Sequence, residues 1–102
     1  MNINYFISGN TLNISLIGEL DECSASNTRE LIDKVIDKSV GVTRLIFNLN
    51  ELSFMDSTGI GMMIGRYKKA KSYGIKVFIE KPNNTIIKIL ELSGLYQIMP
   101  LI

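Results

Sequence analysis

A chain of 102 residues, 46% of them hydrophobic, is long enough for one domain with its own core and too short for two, so residues 1–102 are expected to form a single domain. Eleven Lys and Arg against ten Asp and Glu leave a formal net charge of +1, which gives no global field to draw in nucleic acid or anionic lipid. Histidine is absent and Cys23 is the one cysteine, so a Ser-His-Asp triad, a Cys-His pair, the usual zinc sites and an internal disulfide each lack an essential member.

The first segment, Met1-Asn2-Ile3-Asn4-Tyr5-Phe6, has neither a basic n-region nor a long apolar h-region, and no later apolar run approaches membrane-spanning length. A cytoplasmic location is expected, with neither membrane nor nucleic acid as partner, and a lone cysteine fits a reducing compartment. Ile3, Tyr5 and Ile7 alternate along the chain, as do Leu12, Ile14 and Leu16, and Gly9-Asn10 between them is a good two-residue turn. An antiparallel hairpin therefore opens the fold. After Gly18-Glu19-Leu20-Asp21, Ser24 is placed to cap a helix whose Leu31, Ile32, Val35 and Ile36 recur at helical spacing, while Arg29, Glu30, Asp33 and Lys34 face water.

A third strand is predicted near Leu45 to Asn50, followed by a second helix that ends at Gly74 with Lys68, Lys69 and Lys71 in its last turns, where cations oppose the helix dipole. Ile75 to Glu80 reads as a fourth strand. Asn83 then caps a short helix through Ile86, Ile87, Ile89 and Leu90 that stops at Gly94, and a last short strand is predicted at Gln97 to Leu101. The order ββαβαβαβ implies an α/β domain with a mixed, mostly parallel sheet of about five strands and right-handed crossovers. In such sheets the loops after the carboxyl ends of strands gather functional groups. Gly18-Glu19-Leu20-Asp21 and Asp56-Ser57 both fall there, and they meet if their strands are parallel neighbours.

Leu52-Ser53-Phe54-Met55-Asp56-Ser57-Thr58-Gly59-Ile60-Gly61 sets a carboxylate and two hydroxyls at the junction of strand and helix. The bland reading of Asp56-Ser57-Thr58-Gly59 is a helix cap, since each polar side chain there accepts hydrogen bonds from the free amides of a first turn. Gly59, Gly61 and Gly65 suggest a phosphate loop, but the third glycine of a dinucleotide fingerprint is missing and no Gly-Lys-Ser or Gly-Lys-Thr is present. Close approach of the helix to the sheet or to a partner through Gly61 and Gly65, one turn apart, is the plainer account. Met62, Met63 and Ile64 cannot all face the same core, so one should look outward; a Met that does so offers an adaptable protein contact, and the alternative is a wide buried stripe. Asp21 with Asp56 makes a poor cation site without further oxygen ligands, and Cys23 beside Asp21 and Glu22 sits where a thiolate is disfavoured. No metal and no cofactor are expected.

Taken in order, Gly18-Glu19-Leu20-Asp21, Asn48-Leu49, Leu52 through Gly61, Gly65-Arg66-Tyr67-Lys68 and Leu92-Ser93-Gly94-Leu95 resemble the anti-sigma factor antagonists of the STAS domain family. The likeness covers nearly the whole chain and is closest to the antagonists of sporulation anti-sigma F factors. It implies a STAS-like single domain and a protein switch, not an enzyme. In that family the unphosphorylated antagonist binds an anti-sigma factor that is also a serine kinase, with ATP or ADP bound, and so releases the sigma factor. The kinase phosphorylates the serine directly after the Asp of the motif, Ser57 here, which switches binding off, and a PP2C-type phosphatase reverses it. The resemblance implies a partner surface of Asp21, Asp56, Ser57, Thr58, Gly59, Gly61 and Met62, on a protein that runs as a monomer or weak dimer. The adjacent Thr58 is a combination seen in the general-stress relatives. The alternative is a STAS scaffold or regulatory subunit of a stress-sensing complex.

Overall fold

A computed structural model describes all of residues 1–102. The chain opens with β1 (Asn2–Ser8) and β2 (Thr11–Leu20), paired antiparallel from Asn2–Ile17 to Ser8–Thr11. Gly9 alone of the two turn residues takes a positive φ, 61°, the signature of a type II′ turn that a side chain at this position would strain. Helix α1 (Ala25–Lys38) carries the chain over to β3 (Arg44–Asn48), which lies parallel to β2. Then come β4 (Leu52–Met55), α2 (Ser57–Ser72), β5 (Lys76–Glu80), α3 (Asn84–Ser93) and a 3-10 turn at Leu95–Gln97. The five strands form one mixed sheet in the order β1-β2-β3-β5, with β4 pairing β2 off that path.

One apolar cluster holds the layers together. Alternate residues of β2, Leu12, Ile14 and Leu16, are wholly buried beside Leu45 and Phe47 of β3 and Val77 and Ile79 of β5. Against them pack Ile32, Val35 and Ile36 of α1, Met63 and Ala70 of α2, and Ile86 and Leu90 of α3. Each such aliphatic side chain contributes about 1.5–3 kcal/mol relative to an exposed position. The opposite face of the sheet is more open. There Phe6, Asn13, Ile46 and Phe78 stand in one cross-strand row, and the Arg44 guanidinium lies 4.9 Å from the Phe78 ring centre.

The α/β class and the mixed sheet of five strands are as expected, with differences in detail. Leu52-Ser53-Phe54-Met55, read as part of a strand-to-helix junction, is a strand in its own right, parallel to the end of β2 at Gly18–Leu20. The strand predicted at Gln97 to Leu101 shrinks to a single parallel bridge between Leu101 and Ile79, because Leu95–Gln97 first makes a turn that buries Leu95 and Met99. On α1 the buried stripe is Ala25, Thr28, Ile32, Val35 and Ile36, which leaves Leu31 39% exposed on the flank. Asp33 does not simply face water. Its Oδ1 lies 2.8 Å from Nε of Arg66 on α2, and Lys69 Nζ lies 2.9 Å from Oδ1 of Asp37, so charged pairs run along the α1–α2 seam. Lys69 therefore joins two helices as well as opposing the dipole of its own. No helix is long and apolar enough to cross a membrane.

Candidate functional site

β4 exists to bring two strand ends together. Leu20 pairs with Met55, and the Asp56 amide donates to the Leu20 carbonyl at 3.2 Å, so the chain leaves β4 still attached to β2. Asp56 is extended (φ −103°, ψ −172°) and stands at the N-cap of α2. Its Oδ1 accepts from the Gly59 amide at 2.9 Å and its carbonyl from the Ile60 amide at 3.0 Å. Its Oδ2 accepts from the Glu22 amide at 3.2 Å. One carboxylate thus starts the helix and ties the loop after β2 to it.

That loop is ordered by Asp21. Its Oδ1 accepts from the amides of Cys23 at 3.0 Å and Ser24 at 3.1 Å, while the Ser24 hydroxyl accepts from the Asp21 amide at 3.0 Å and donates to the Glu19 carbonyl at 2.9 Å. Ser24 occupies the N-cap position of α1 as expected, but its side chain turns back into the loop and makes no cap bond. The helix entrance is stabilised by the Asx-type turn at Asp21 instead. The expected meeting of the two acidic loops is present, made by β4 and not by the longer β3.

Gly59 and not Gly61 or Gly65 marks the tight contact. A Cβ at Gly59 would lie 2.5 Å from the Leu20 carbonyl oxygen and 2.9 Å from Met55 Cγ, whereas one at Gly61 or Gly65 would meet nothing within 4 Å. The close approach to the sheet expected of Gly61 and Gly65 is corrected accordingly. Those two glycines open a groove of about 380 Å³ between α1 and α2, bordered also by Glu22, Arg29, Thr58 and Arg66. Met62 and Met63 are both buried, 6% and 0% exposed, because they stand three and four residues after the anchored Gly59 and share its stripe with Arg66 and Ala70. The one of the three that turns partly outward is Ile64, which is half-buried, and Met62 reaches the surface only as lining of the groove.

Of the residues singled out from sequence, Ser57, Thr58 and Gly61 are exposed, Asp21 and Asp56 are half-buried and engaged by amides, and Gly59 and Met62 are buried. Ser57 is the first residue of α2. Its amide and that of Thr58 precede the helical ladder and have no acceptor within the fold. Sequence reasoning missed the Glu22 amide, Arg29 and Arg66. Arg66 is 9% exposed, and its contact to Asp33 is a close approach of charges without a directed N–H···O bond, with Nη1 unpartnered. Burial lowers its pKa and Asp33 opposes that shift, so the guanidinium stays charged. The spacing of Gly61 and Gly65 was the one sequence signal for the groove.

A family model describing the STAS domain matches residues 2–102. The chain belongs to the STAS domain family. Among curated members of that family, the anti-sigma F factor antagonist of Lysinibacillus sphaericus is 35% identical over 89 residues, covering 87% of this chain and 75% of that one. The anti-sigma-B factor antagonist of Bacillus subtilis (strain 168) is 30% identical over 101 residues, covering 97% and 90%. Among solved STAS structures, the Bacillus cell fate determinant SpoIIAA in its phosphorylated form superposes with a TM-score of 0.71 at 30% identity, covering 99% of this chain and 91% of that one. Asp56 and Ser57 thus stand, within a STAS domain, where the ends of β2 and β4 converge.

Proposed function

We propose that this STAS domain is an anti-sigma factor antagonist that works by partner switching. In its unphosphorylated form it binds an anti-sigma factor serine kinase carrying ATP or ADP, over a surface made by the start of α2 and the loop after β2, and the sigma factor is released. Transfer of the γ-phosphoryl group of ATP to Ser57 Oγ, with loss of the hydroxyl proton and departure of ADP, switches that binding off. A PP2C-type phosphatase resets the switch in the cytoplasm. The names of the relatives support the antagonist role. The observation that carries the reading is Ser57 itself, exposed at the first position of α2 behind a fixed Asp56.

The physics of the switch follows from that placement. A phosphate adds about 1.5–2 negative charges. Free amides of Ser57 and Thr58 and the positive end of the helix dipole offer it local stabilisation, so the fold changes little. Toward a partner the effect is the opposite, since Glu19, Asp21, Glu22 and Asp56 already make the two loops acidic. Buried contact over Ser57 would have to desolvate the new charge. The test is incubation with ATP and the serine-kinase anti-sigma factor of the same organism, followed by mass spectrometry of the peptide spanning Asp56 to Arg66. A single phosphate on Ser57, absent from Ser57→Ala, is expected. Phosphate elsewhere, or none despite an active kinase, would overturn the assignment.

A further inference from the structure

The sheet ends on β5 at one side and on β1 at the other, and only one of these edges is defended. Along β5, the Ile79 amide donates to the Pro100 carbonyl and the Ile102 amide to the Ile79 carbonyl, both at 2.9 Å, so the chain's own last residues cover that edge. β1 has no such cover. Asn-Ile-Asn-Tyr-Phe-Ile-Ser contains no charge and no proline and pairs with β2 without a bulge, and Tyr5, Phe6 and Ile7 are 43%, 61% and 49% exposed. Charges, prolines, bulges and covering segments are the devices by which sheets blunt free edges. An edge that lacks all four is a pairing surface.

The two-residue turn fixes which backbone groups are free. It makes Ser8 and Thr11 a hydrogen-bonded pair, and because pairs alternate, Asn2, Asn4, Phe6 and Ser8 aim their amides and carbonyls at β2. Ile3, Tyr5 and Ile7 aim theirs outward. The geometry points to a second copy of this chain as the occupant, with β1 pairing antiparallel to β1 about a two-fold axis at Tyr5. In that register Tyr5 faces Tyr5 of the partner subunit and Ile3 faces Ile7 of the partner subunit. Every outward amide and carbonyl of both strands then finds an acceptor or a donor, and apolar side chains meet apolar side chains. The strand is self-complementary as an isologous interface requires, and it carries no charge of its own. Lys38, whose Nζ lies 5.4 Å from the Tyr5 ring centre, brings one cation from each copy near the axis. Added salt therefore strengthens the pairing by screening the two. A single strand pair belongs to the smallest interfaces, below about 1,200 Å², so the dimer is weak and concentration-dependent.

Sedimentation velocity of the full chain over a concentration series tests this, beside two kinds of variant. The wild-type chain is expected to show a reversible monomer–dimer equilibrium that shifts toward dimer with salt, and Tyr5→Lys is expected to stay monomeric over the same range with an unchanged circular dichroism spectrum. In a Cys23→Ser background, Tyr5→Cys is expected to form a disulfide-linked dimer under mild oxidation, since directly opposed hydrogen-bonded residues have Cα atoms about 5.5 Å apart. Phe6→Cys, which faces Asn4 of the partner subunit, is expected not to. A chain that is monomeric throughout, a dimer indifferent to Tyr5→Lys, or equal cross-linking at positions 5 and 6 would each overturn the proposal.

Discussion

Gly59→Ala is a sharp test of how the site is held. The added Cβ would sit 2.5 Å from the Leu20 carbonyl oxygen and about as badly against side chains, 2.9 Å from Met55 Cγ and 3.0 Å from Leu20 Cγ. The side chains can turn aside. The carbonyl cannot easily retreat, because it accepts the Asp56 amide at 3.2 Å and belongs to the β2–β4 ladder. Overpacking of this kind costs about 1–3 kcal/mol, and the helix preference of alanine over glycine returns at most about 1. A net loss of up to about 2 kcal/mol is expected, with a Tm lower by about 4–8 °C for each kcal/mol in a domain of this size. The control is Gly61→Ala, two residues along the same helix, where nothing lies within 4 Å and the same substitution is expected to stabilise by about 0.5–1 kcal/mol. Urea denaturation of both variants gives the two signs directly. A Gly59→Ala chain stabilised as much as Gly61→Ala would refute the close approach of α2 to β2 on which the site's geometry depends.

Asp56→Ala is expected to cost about 0.5–2 kcal/mol in urea melts, since it removes a cap and the acceptor of the Glu22 amide, whereas Asp56→Asn should retain most of the stability. Asp56→Asn should also soften the effect of Ser57 phosphorylation on partner affinity, by removing a neighbouring charge. The Asp37 carboxyl, hydrogen-bonded by Lys69 and Tyr73, is held below its ordinary value of 3.8, so its contribution to stability is present above that pH and is lost as pH falls through the lowered value. Lys69 is raised above 10.5 by the same carboxylate, so its share is complete below 10.5 and disappears as pH rises through the higher value. Urea midpoints measured across both limbs should flatten in Asp37→Asn. Arg66→Ala is expected to destabilise by about 1–3 kcal/mol, less than a fully buried pair, because Lys69 Nζ remains 3.8 Å from Asp33. Arg66→Met, which refills the volume and removes the unpartnered Nη1, should cost less than Arg66→Ala in the same assay.

Local chemistry was the legible part of the sequence. Gly9-Asn10 between alternating strands, Asn83 before an apolar run and Gly94 after it each declare a turn or a helix end through their own residues, and the structure has the hairpin and the cap from Asn83 Oδ1 to the Ile86 amide at 2.9 Å. β4 was not legible because four residues carry too little alternation. Its partner is the tail of β2, more than thirty positions earlier by the Gly18–Leu52 pairing. The contact at Gly59 was misplaced for a related reason. Glycine spacing says that a helix has a smooth side, but which glycine touches the sheet depends on how β4 delivers the helix. The meeting of Asp21 with Asp56 and Ser57 was legible only as a condition, that the strands before them be parallel neighbours, and β4 supplies that pairing, while Arg29 and Arg66 come together only once α1 and α2 pack side by side.

Affinity of the two phosphorylation states for the anti-sigma factor kinase decides most directly whether Ser57 is the switch. Isothermal titration calorimetry should compare the unphosphorylated chain, the chain phosphorylated on Ser57 and Ser57→Ala. Two unit charges at about 4 Å repel by roughly 1 kcal/mol in water and about 4 at an effective dielectric of 20, which corresponds to a loss from several-fold to about a thousandfold. Binding by the unphosphorylated chain and by Ser57→Ala, with a loss in that range or greater for the phosphorylated chain, is the expected result. Equal affinity of the phosphorylated and unphosphorylated chains would contradict a switch at the start of α2.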